Sequence, residues 1–77
     1  MKITVRFKYL PGKLPDLEMD VPNNTKVEEV IDRLKGTFQE VKKTESFLLL
    51  VNDILVVDNR ELEEGDVLSV FPLLMGG

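Results

Sequence analysis

The chain contains neither cysteine nor histidine. That double absence removes disulfides, thiolate and imidazole metal ligands, a nucleophilic thiol, and any side chain that titrates near neutrality unaided. Most routes to self-contained catalysis are closed, so no catalytic residue, metal ligand or bound cofactor is assigned. Carboxylates remain. The segment 58–66, however, lacks the alternating oxygen ligands and central glycine of an EF-hand loop, and its acids read as solvated turn residues. No apolar run approaches the roughly 20 residues that span a bilayer, and the N-terminus reads as a strand rather than a cleavable signal. A cytoplasmic protein without membrane contact is expected. Basic residues are also few: 10 against 14 acidic ones, a net charge of −4. This opposes binding to a phosphate backbone unless the lysines gather on one face, so the expected partner is not nucleic acid but a protein with a basic docking surface.

What is present fits one small folded domain. Seventy-seven residues lie near the lower size limit for a single hydrophobic core, and 43% apolar with 31% charged residues is ordinary for a globular chain. Residues 2–9 alternate, with Ile3, Val5, Phe7 and Tyr9 on one face and Lys2, Thr4, Arg6 and Lys8 on the other. A turn signal at 10–13 leads to a second alternating strand, Leu17, Met19 and Val21 against Glu18 and Asp20, which completes a hairpin. Bases of the first strand can meet acids of the second across it.

Thr25-Lys26-Val27-Glu28 has the form of a capping box, and Val27, Val30, Ile31 and Leu34 fall at helical spacing. A helix over 26–35 is expected, closed by Gly36 in a left-handed conformation. Residues 37–46 are polar apart from Phe38 and Val41, which pin a loop or short helical turn to the core. The apolar run 47–51 reads as a strand covered on both faces, or covered on one and sticky on the other. Asn52-Asp53 turns the chain into a short strand at 54–57, Leu62 plugs the core, and Glu64-Gly65-Asp66 leads into a last strand at 67–71. Alternation there offers the core either Val67, Ser69 and Phe71 or Leu68 and Val70. One amphipathic helix across one mixed sheet of four to five strands, first and last strands parallel, is an α+β β-grasp fold, the ubiquitin-like architecture.

After Pro72 the sequence reads Leu73, Leu74, Met75, Gly76, Gly77. At an average glycine usage of about 7%, two glycines at a given place arise by chance roughly once in 200 chains. Glycine suits a carboxylate threaded in extended form into a narrow partner channel, because no Cβ blocks backbone approach. A carboxylate is a poor electrophile, so acyl transfer requires prior activation by ATP to an acyl-adenylate. The chain would contribute the acyl group and a partner the catalysis. The division expected is a β-grasp domain over 1–72 and a flexible tail over 73–77.

Val51-Asn52, Leu62-x-x-Gly65-Asp66 and Phe71-Pro72-x-x-x-Gly76-Gly77 resemble the C-terminal half of the molybdopterin synthase small subunit. The broader ubiquitin-like sulfur-carrier group, which includes the thiamine-biosynthesis carrier, shares the Gly-Asp turn, the Phe and the Gly-Gly tail. Two features depart from the small subunit: the quick turn at 8–13, and Leu73 where a second proline often stands. The resemblance implies adenylation of Gly77 by an enzyme like ubiquitin E1, conversion to a thiocarboxylate, and sulfur transfer to a molybdopterin synthase large subunit or another sulfur-accepting enzyme. ATP would be used by the activating partner, and the free chain would be a monomer. Leu73, Leu74, Met75 and Gly76 would thread into the partner, while Phe71, Pro72, Leu48 and Leu50 would contact it. Two other readings of the same tail stay open: a protein modifier joined to lysines through Gly77, and a β-grasp interaction domain without tail chemistry.

Overall fold

The structure, a computed structural model, describes residues 1–9 and 14–73. The turn expected at 10–13 and the expectations for Leu74, Met75, Gly76 and Gly77, their mobility included, fall outside the described residues. Strands β1 (Lys2–Phe7), β2 (Leu17–Asp20), β3 (Phe47–Val51), β4 (Ile54–Leu55) and β5 (Val67–Pro72) form one sheet in the order β2-β1-β5-β3-β4. Helices α1 (Val27–Thr37) and α2 (Gln39–Lys42) lie between β2 and β3 in the chain. β1 and β5 pair in parallel at the centre of the sheet, and every other pairing is antiparallel. This is the β-grasp arrangement.

Alternation decides which face each strand gives the helix. Ile3 and Val5 of β1, Met19 of β2, Val51 of β3 and Leu68 and Val70 of β5 are buried with the α1 stripe Val27, Val30, Ile31 and Leu34. Of the two alternatives for the last strand, Leu68 and Val70 face the core. Val41 of α2 is fully buried, and the Phe38 ring meets Phe7 edge to face at 5.5 Å between centroids, so the expected helical turn after α1 is anchored at the upper end of the core.

Several local expectations are corrected. Thr25 is not the N-cap: its hydroxyl donates to the Pro22 carbonyl at 2.6 Å, and the cap is Lys26. The first amides of α1 find remote partners, with Val27 N–H donating to the Arg60 carbonyl and Glu28 N–H to Asn59 Oδ1. Those tertiary acceptors replace the hydroxyl that a local cap would supply. Gly36 does not end α1 in a left-handed conformation; the helix runs through it to Thr37 and closes at Phe38 in extended backbone. β4 stops at Leu55 rather than 57, and Val57 is exposed. The ladder continues past Pro72, since Leu73 N–H donates to the Ser46 carbonyl at 2.9 Å, so Leu73, expected at the start of the flexible tail, is held at its backbone.

Asp66 is not a solvated turn acid. It is buried, with one carboxylate oxygen accepting from Asn52 Nδ2 at 2.9 Å and the other from Glu63 N–H at 2.7 Å. Asn52 Oδ1 in turn accepts from Val67 N–H at 2.9 Å. Asn52 and Asp53 have φ of 51° and 67°, the left-handed pair of a two-residue type I′ hairpin turn. Gly65, at φ 82°, places its N–H on the Lys2 carbonyl at 2.8 Å, and Thr4 N–H reaches the Asp66 carbonyl at 3.0 Å. The β3–β4 turn, the entry to β5 and the start of β1 are thereby tied together.

Two expected outcomes follow from this packing. Leu68→Ala, at a fully buried site, should cost about 2–5 kcal/mol, whereas Phe71→Ala, on the half-buried outer side, should cost about 1 kcal/mol. Equal losses in urea titrations would show that the faces of β5 are reversed. Asp66→Ala leaves two donors without an acceptor and should cost about 1–3 kcal/mol; an unchanged midpoint would show that the tie does not hold β5 in place.

Candidate docking surface

The side of the sheet away from α1 divides into two halves. Over β2 and β1 it is polar: Lys2 lies opposite Asp20 and Thr4 opposite Glu18, and Arg6 Nε stands 3.3 Å from Asp16. With both partners about half exposed, that ion pair is worth at most about 1 kcal/mol. Over β5, β3 and β4 the same side is apolar. Phe71 pairs with Leu48, Ser69 with Leu50, and Leu50 with Leu55. Leu48 is 38% and Leu55 51% exposed, while Phe71 and Leu50 are half-buried. Ser69 is buried between Leu50 on one flank and Arg6 on the other. Its small side chain leaves the larger ones around it standing proud.

Three of the expected contact residues, Phe71, Leu48 and Leu50, are thus brought together on one surface. Pro72 is not among them: it pairs with Phe47, on the helix side of the sheet. Leu73 is 44% exposed where the chain leaves the ladder. Leu74, Met75, Gly76 and Gly77 lie outside the described residues.

Two members of the surface escape a reading of the sequence. Leu55 is one of a run of apolar residues whose faces cannot be assigned until its pairing with Leu50 is known. Tyr9 was expected inward with Ile3, Val5 and Phe7. It is instead 87% exposed, with its backbone at φ 58° and its ring 6.1 Å from that of Phe71. The left-handed residue breaks the strand alternation and carries the ring over to the outer side. The turn signal immediately after Tyr9 was the available hint, since alternation does not extend into a turn.

The surface offers apolar area for burial by a partner. Among the described residues no group of three potential metal-ligating side chains comes together, and no helix is long and apolar enough to cross a membrane. Contacts of this kind can hold a second protein in register while the chemistry is done elsewhere.

The structure is similar to that of a putative molybdopterin converting factor subunit 1 from Pyrococcus furiosus, at 24% identity and a TM-score of 0.79, over 95% of this chain and 98% of that one. It is similar to SAMP1 from Haloferax volcanii at 18% identity and a TM-score of 0.78, with both chains fully covered. A third likeness is to a complex of subunits 1 and 2 of the molybdopterin-converting factor from Helicobacter pylori, at 24% identity and a TM-score of 0.65, again with full coverage. At such identities these likenesses speak for the fold. No match is found among curated proteins. The sequence profile described as ThiS family matches residues 2–77, through both glycines. With that extent of match, the chain belongs to the ThiS family of ubiquitin-like sulfur carriers.

Proposed function

We propose that this chain carries sulfur as a thiocarboxylate on Gly77. In the first step the Gly77 carboxylate attacks the α-phosphate of ATP within a separate enzyme of the E1 type, and pyrophosphate leaves. A hydrosulfide equivalent then attacks the acyl carbon and AMP leaves, so sulfur replaces one carboxylate oxygen. The thiocarboxylate next delivers its sulfur to an acceptor in cofactor biosynthesis, with the molybdopterin precursor as the leading candidate. The chain is then a substrate of its partners and not a catalyst.

The observation that carries this reading is that the family match runs through Gly76-Gly77. The apolar outer surface ends beside Leu73, where the chain continues toward those glycines. The complex of subunits 1 and 2 from Helicobacter pylori supports a large-subunit partner as the acceptor.

Incubation with ATP, sulfide and the activating enzyme should add to the intact chain a mass equal to the difference between sulfur and oxygen. Deleting Gly77, or adding a residue after it, should abolish adenylate formation and leave the melting temperature unchanged. Normal activation of the extended chain without trimming would contradict the proposal. High-mass conjugates that yield Gly-Gly remnants on lysines, with no thiocarboxylate, would establish the modifier reading instead.

A further inference from the structure

Tyr9 is costly where it stands. Its φ of 58° lies in a region where an aromatic L-residue is strained. The strain gains no burial, since the side chain remains 87% exposed with its ring against Phe71. A large aromatic held in a strained conformation to face solvent is poorly explained by folding. It is well explained by contact with something that covers it.

The charges at this end of the sheet are unlike those of the whole chain. Lys8, one residue beyond the Phe7–Val70 pair, falls beside Phe71. Arg6, two residues earlier on the same outer side, lies beside Ser69 and is paired with Asp16. The excess of acid lies at the opposite end of the sheet, around the α1 start at 28–29 and in the segment 58–64. A net charge of −4 pointed to a basic partner surface, but the charged residue that falls beside Phe71 in the β1–β5 register is the basic Lys8.

We propose that Tyr9 is a recognition residue for the activating enzyme, which receives Tyr9, Phe71 and Leu48 in an apolar recess with a carboxylate that faces Lys8. The inference rests on the carrier reading above. Gly77 is the fourth residue beyond Leu73, a reach of at most about 14 Å when extended. Whatever enzyme adenylates Gly77 must therefore stand against this end of the sheet, where Tyr9 is the most exposed aromatic.

The test is ATP–pyrophosphate exchange by the activating enzyme, with the full-length chain as the varied substrate and its melting temperature measured in parallel. Tyr9→Gly relieves the backbone strain, so its melting temperature should equal or exceed that of wild type. Its KM for the chain should nevertheless rise about tenfold, with kcat little changed, the size of effect that loss of an interface anchor produces. Tyr9→Phe should keep a KM near that of wild type. Lys8→Glu should raise KM several-fold, and the difference should shrink at high salt as exposed charges are screened. An unchanged KM for Tyr9→Gly would overturn the role of Tyr9, and an unchanged KM for Lys8→Glu would overturn the carboxylate that faces it. If the wild-type chain supports no exchange at all, the carrier reading itself fails and this inference falls with it.

Discussion

The central parallel pairing of β1 with β5 sets everything that the two faces of the sheet present. In its register Val5 stands beside Leu68 and Phe7 beside Val70, which commits Ser69 and Phe71 to the opposite side. A slip of one residue would exchange the two sets, sending Phe71 into the core and Leu68 into water. Parallel strands cannot be joined by a tight turn that would fix this register locally, so it must be held from elsewhere. Asp66 and Gly65 do this at the strand entry, through Asn52, Lys2 and Thr4. The Gly-Asp turn that marks the family resemblance is therefore part of the fold's register control, upstream of any tail chemistry.

Elements with strong periodicity were legible in the sequence. β1 and the α1 stripe could be read because each repeats its apolar residues at the period of its own backbone, and the parallel arrangement followed from the order of elements. What escaped depended on contacts between residues distant in the chain. The α1 start is satisfied by Arg60 and Asn59 rather than by Thr25, and no local pattern shows that acceptors from a later segment will arrive there. The run Phe47 to Val51 left its faces open because five apolar residues in a row have no alternation; pairing with β5 turned Leu48 and Leu50 outward and buried Val51. The resemblance motif joins Pro72 to Phe71 as a contact, but successive strand residues point to opposite faces, and Pro72 lies with Phe47 on the helix side.

The division between the faces has a functional logic. Residues buried under α1 hold the fold. The outer side over β5, β3 and β4 leaves Leu48, Leu55 and Tyr9 exposed at some cost in solvation. A carrier of this size has little chain to spare for a separate binding element, and under the proposed function one sheet would serve as scaffold on one side and recognition surface on the other. The strand at the sheet's centre also precedes Gly76-Gly77 in the chain, so under the same proposal docking on its outer side and delivery of the terminal glycine would share one geometric reference.

The most direct test of this account is to map, by backbone amide chemical shifts of the nitrogen-labelled chain, where the activating enzyme binds. The account predicts perturbations concentrated at Tyr9, Leu48, Leu50, Phe71 and Leu73, with the acidic segment 58–64 and the exposed side of α1 unaffected. Perturbations centred on Glu28, Asp32 or residues 58–64, with the β3 and β5 amides unmoved, would contradict it.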